Sequence, residues 1–145
     1  MKRKQFCFFV IVTLFGIGSM TSCKKDKAVV YPVAGVYTGT YTVNDVPAQG
    51  ALAYGFSIFP DGTITTKGMG GDGSYAYAAG TWTLTGNTQF TANITSIDGS
   101  GQPIKQSITA SFSNTGTLAN GTWVDTNNPY HAPYSGKFST MQRAN

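Results

Sequence analysis

Ala51-Leu52-Ala53-Tyr54-Gly55-Phe56-Ser57-Ile58-Phe59-Pro60-Asp61-Gly62-Thr63-Ile64-Thr65-Thr66-Lys67 decides the fold. Leu52, Tyr54, Phe56 and Ile58 alternate with small residues, so they share one face of an extended segment. Pro60-Asp61-Gly62 is a tight-turn signature: proline fixes one φ, and glycine accepts a positive one. Thr63 to Lys67 then returns with Ile64 on the inner face. The stretch therefore predicts an antiparallel hairpin that is apolar on one side.

Moving outward, the same period of two recurs on both sides. Upstream, Gly35 to Val43 places Tyr37, Tyr41 and Val43 on one face and Thr38, Thr40 and Thr42 on the other. Downstream, the glycine-rich Gly68 to Gly73 reads as a loop and Ser74 to Ala79 as a weaker strand with Tyr75 and Tyr77. Further strands are predicted over Gly80 to Thr85 (Trp82, Leu84), Gln89 to Ile97 (Phe90, Ala92, Ile94) and Ile104 to Phe112 (Ile108, Ala110, Phe112). Leu118 to Val124 carries Trp123. After a polar loop from Asp125 to Pro133, Tyr134 to Met141 carries Phe138.

No part after the N-terminal segment sustains a 3.6-residue apolar period, so the fold class is all-β: a single antiparallel up-and-down meander of about eight strands. Open sheet edges invite aggregation, so the meander is expected to close into a barrel, with a β-sandwich as the alternative. Gly-x-aromatic triplets at Gly35, Gly80, Gly121 and Gly136 fit strands that pack closely at glycine. Gly35-x-Tyr37-x-Gly39-x-Tyr41, the repeated Gly-Thr-Trp, and Tyr-Ser-Gly-Lys-Phe near the end resemble small lipocalin-like lipoproteins of Bacteroidetes, and more distantly avidin-type barrels. The resemblance runs from about Gly35 to Met141; Tyr37 stands where the lipocalin start has tryptophan, and no functional residue carries over.

The N-terminus supplies an address. Lys2, Arg3 and Lys4 precede an apolar run from Phe6 to Ile17 that is too short to span a bilayer, which takes about 20 residues; this is the anatomy of an export signal. Met20-Thr21-Ser22-Cys23 resembles a bacterial lipobox, with methionine in the usual leucine place. That resemblance implies residues 1–22 as a signal peptide, lipidation at Cys23, a tether over 23–33 and one domain over 34–143. It also implies a membrane partner through the lipid anchor, and Lys24 after the cysteine is compatible with outer-membrane delivery.

Cleavage would remove most of the basic excess. The chain carries a net charge of +4, but after Ser22 seven basic residues face six aspartates, a net of +1, and from Tyr31 onward four face five. No basic face remains for nucleic acid. Cys7 lies in the signal and Cys23 is the lipidation candidate, so no thiol is left for a disulfide, redox pair or zinc site.

Catalytic chemistry finds no constellation. His131 is the sole histidine and sits among loop residues. The mature chain has no glutamate, and Asp45, Asp61, Asp72, Asp98 and Asp125 all stand beside turn residues, where aspartate bonds its own backbone. The run Asp125 to Asn128 lacks the ligand spacing of a calcium loop, and Gly68 to Gly73 lacks the lysine of a phosphate loop. The expectation is therefore no catalytic residues, no metal, no cofactor and no enzyme activity.

The aromatic face reads two ways, as packed core or as the wall of a calyx for a small hydrophobic ligand, with Tyr37, Tyr41, Tyr54, Trp82 and Trp123 as candidate ligand-binding residues. Strands this short favour a mostly filled interior. The function expected is a membrane-anchored envelope module that binds a small ligand or is structural; the alternative is a protein-interaction module using exposed strand faces and the 125–133 loop.

Overall fold

The computed structural model describes residues 32–44, 46–128 and 133–144. Cys23 with its signal and tether through residue 31, Asp45 and His131 lie outside the described residues.

Alternation closes on itself. The strands are β1 (Gly35–Val43), β2 (Leu52–Ile58), β3 (Thr63–Met69), β4 (Tyr75–Thr85), β5 (Gln89–Ile97), β6 (Pro103–Ser113), β7 (Thr117–Asn127), β8 (Ser135–Phe138) and β9 (Met141–Arg143). Each pairs antiparallel with its sequence neighbour through β7–β8, and β1 pairs with β2 on one side and with β8 and β9 on the other. Both β8 and β9 also pair with β7, so together they form one interrupted stave. The result is an eight-stave, closed up-and-down barrel of the lipocalin-like kind, as the meander predicts. At the interruption, Ser139 keeps the seam sewn: its N–H donates to Thr40 O (2.7 Å) and its Oγ accepts from Thr40 N–H (2.9 Å).

The central hairpin folds as its sequence dictates. Gly62 takes φ 87°, and Asp61 Oδ1 accepts from the Thr63 N–H (2.9 Å) and hydroxyl (2.6 Å). Asp72 does the same for Ser74, and Asp98 accepts from the backbone N–H groups of Ser100 and Gln102. The hydroxyl and backbone bonds hold the Asp61 and Asp72 carboxyls below their ordinary pKa.

Besides the break of the expected Tyr134 to Met141 strand into β8 and β9, two strand boundaries differ from expectation. Residues 75–85 form one 11-residue strand that runs unbroken through Gly80, where a side chain would collide with the Asn93 carbonyl of β5. The second difference is β7, which runs on to Asn127, so Asp125, Thr126 and Asn127 belong to a strand and not to a loop. A register shift against β6 between Thr109 and Ser111 adds a residue to β7 beside Asn120, whose φ is 53°. Strict alternation would send Leu118 and Trp123 to opposite faces; this β-bulge lets both point inward, and both are buried.

The interior is filled at the end where β1 begins. Val33, Tyr37, Ile58, Ile64, Trp82, Phe90, Phe112, Leu118 and Met141 are buried there in the core cluster. Each large apolar side chain so buried contributes roughly 1.5–3 kcal/mol, and the polar tips are satisfied: Tyr37 O–H donates to Val33 O (2.9 Å) and Trp82 Nε1–H to Phe59 O (2.9 Å). Arg143 closes this base by donating to Pro32 O (3.0 Å). Glycines admit the large rings: the space a Cβ would need at Gly121 is held by Phe138, and at Gly136 by the Thr42 carbonyl and the Trp123 indole.

Candidate functional site

The opposite end of the barrel is not filled. Alternating strand ends meet there, the close of β1, β3, β5 and β7 and the start of β2, β4, β6 and β8, and their inward residues shrink. Gly68, Gly70, Ala76, Ala78 and Ser96 leave a cavity of about 230 Å³. Its walls also include Tyr41, Val43, Tyr54, Thr66, Tyr77, Gln106, Trp123 and Tyr134. The sequence favours a mostly filled barrel; the structure is filled in one half and hollow in the other. The reason lies in strand length, since β4, β6 and β7 each run 11 residues and reach beyond the packed layers.

Of the five aromatic candidates, the structure brings three together. Tyr41 lies 5.3 Å from Tyr54 and 6.0 Å from Trp123, ring centre to ring centre, the second pair edge-on at 71°. Tyr54 continues edge-on to Phe56 (4.9 Å), which links the cavity wall to the packed half. Tyr37 and Trp82 are placed otherwise: Tyr37 is fully buried, and Trp82 stacks on Phe90 at 6.2 Å, both in the closed half and away from the cavity. They share the inward parity of the other three, but they sit at the wrong height along the barrel axis.

The polar groups of the site are anchored. Tyr41 O–H donates to Met69 O (2.9 Å), and Trp123 Nε1–H to Thr42 O (3.2 Å). Burial pushes the Tyr54 phenol up to about 12, against a smaller opposing effect of its hydrogen bond with Thr66; burial also raises Tyr41. Behind the wall stands Asp125, 5% exposed and one of two buried polar residues among those described, with Thr66. Its Oδ1 accepts from Gln106 Nε2 (2.9 Å) and its Oδ2 from Asn128 Nδ2 (3.0 Å).

Asp125 corrects the reading of the aspartates as turn residues. Asp61, Asp72 and Asp98 are turn residues; Asp125 faces inward from β7 opposite Gln106 of β6. The signal was present in parity: Asp125 follows Gly121 and Trp123 at steps of two, and Gln106 precedes Ile108 likewise. The neighbouring asparagines made the segment read as a loop. Among the described residues, no three His, Cys, Asp or Glu side chains gather as a metal site would require.

A second concavity lies on the outer wall, lined among others by Gly55, Ser57, Ala79, Tyr77 and Ile97, the last two 64% and 65% exposed. Lys67 Nζ rests 4.0 Å above the Tyr75 ring beside it.

No protein-family model and no curated protein matches the chain. A solved structure does share its architecture: the structure of EF1p2_mFAP2b bound to DFHBI, with a TM-score of 0.59 and 17% sequence identity, covering 78% of this chain and 94% of that one. At this identity the likeness defines the fold, a closed lipocalin-like β-barrel.

Proposed function

We propose that the chain is a lipid-anchored envelope protein whose barrel binds a small ligand in the cavity between Tyr41, Tyr54, Gln106 and Trp123. One observation carries the binding half: the barrel stops packing midway and leaves about 230 Å³ walled by aromatics and a few fixed polar groups. Apolar walls with sparse, oriented polar groups are the usual make-up of a ligand site. An interior that served stability alone would gain from filling this space, since an empty volume forfeits dispersion contacts. The structural neighbour, a barrel bound to DFHBI, supports the same reading by fold. The anchoring half rests on the sequence Met20-Thr21-Ser22-Cys23, with the tether bringing the domain close to the bilayer and the outer membrane as its place.

The test is a thermal-shift and calorimetric screen of the full chain against single- and double-ring compounds, beside an Ala78→Phe variant that fills the cavity. Binding by the wild type and none by the variant supports the proposal. A wild type that binds nothing at millimolar concentration refutes it. For the anchor, labelling cells with a palmitate analogue should mark the wild type and not Cys23→Ala, which should leave the membrane fraction.

A further inference from the structure

Resting on that ligand-binding reading, we infer that the cavity selects a cation: a small arene or alkyl group bearing a protonated amine. Several of the cavity's side-chain donors are already spent. The Trp123 indole N–H is spent on Thr42 O and the Tyr41 O–H on Met69 O. One Gln106 N–H is spent on Asp125. What these groups still offer is the Tyr41 oxygen lone pairs, the Gln106 carbonyl and the ring faces; Thr66 is paired with the Tyr54 phenol, and the hydroxyls of Tyr54, Tyr77 and Ser96 can each donate or accept.

Charge points in the same direction. No lysine, arginine or histidine is among the described residues lining the cavity. One carboxylate, Asp125, sits just behind it, touching the lining through Gln106, and among the described residues the two side-chain donors on it are neutral amides. A buried carboxylate is costly unless a cation answers it. The field of Asp125 reaches the cavity through low-dielectric surroundings, where it acts more strongly than in water. Three electron-rich rings, Tyr41, Tyr54 and Trp123, converge on one another at 5.3 and 6.0 Å, and ring faces attract ammonium groups. The volume sets the size: at about 30 Å³ per water, 230 Å³ equals roughly seven or eight waters, enough for one ring and a short amine arm.

Calorimetry on the full chain in mild detergent with three matched probes tests this: 2-phenylethylamine, 2-phenylethanol and 3-phenylpropionate. The amine should bind at least tenfold tighter than the alcohol, with the carboxylate weakest. Asp125→Asn, nearly the same shape without the charge, should bring amine and alcohol within threefold of each other. Equal binding of amine and alcohol by the wild type overturns the cation inference while leaving a ligand cavity standing. Binding of none of the three overturns the inference and counts against the cavity's function as well. Because the wild-type comparison needs no variant, a failure of Asp125→Asn to fold does not remove the test.

Discussion

Replacing Gly121 by alanine tests whether the barrel's glycines serve ring packing or strand bending. Gly121 lies directly across β7–β8 from Phe138, whose ring occupies the space a Cβ at position 121 would need. Phe138 is 5% exposed and meets Phe56 edge-on at 5.4 Å, so it cannot swing away without disturbing a second ring. Gly121→Ala should therefore cost about 1–3 kcal/mol, the usual range for overpacking. Phe138→Ala should cost about 3–5 kcal/mol by opening a cavity. Once the ring is gone the new methyl has room, and alanine is favoured over glycine in a strand by roughly 0.5–1 kcal/mol. The double variant should thus be no less stable than Phe138→Ala alone, an interaction energy of about 1–3 kcal/mol. Gly136→Ala supplies the contrast, since its nearest obstacle is the Thr42 carbonyl, a backbone atom that truncating a side chain does not remove. Urea denaturation followed by circular dichroism, with constant m-values, gives all four stabilities. Gly121→Ala and Phe138→Ala effects that add to within about 0.5 kcal/mol would refute the packing argument.

Three further outcomes follow from single groups. Tyr54 ionises near pH 12 in the folded barrel because of burial but near 10 once unfolded, so stability is intact below pH 10 and falls as pH rises from 10 to 12. Tyr54→Phe should flatten that loss, measured as the urea midpoint against pH beside phenolate absorbance. Asn120 holds φ 53° at the β7 bulge; Asn120→Val should cost about 1–2 kcal/mol and Asn120→Gly far less, read from the same denaturation curves. Arg143→Met removes the bond to Pro32 O and should cost about 1 kcal/mol, with faster amide exchange at residues 33–36 as the local sign.

Much of the fold was legible because strand side chains alternate with a period of two, a property local to each segment. Inward residues of most strands could be read from parity alone, including the Tyr41 and Tyr54 that line the cavity; in β7 the bulge at Asn120 was needed to turn both Leu118 and Trp123 inward. The misreadings have a common cause. Asp125 to Asn127 looks like a loop by composition, and Ser74 to Thr85 looks like two strands because Gly80 interrupts it. In each case pairing with a neighbouring strand, β6 or β5, overrode local preference.

By itself the sequence determined the all-β meander, the inward faces outside the β7 bulge, the turns at Asp61, Asp72 and Asp98, and the expectation of an anchor at Cys23. Only the tertiary structure decided that the barrel is packed at one end and hollow at the other. Parity states which side a residue faces and carries no information about its height along the barrel axis. Height is set by how the staves stagger and close, which depends on all eight at once. That stagger separates Tyr37 and Trp82 from Tyr41, Tyr54 and Trp123, and it sets Asp125 behind the cavity wall, a position no local pattern specifies.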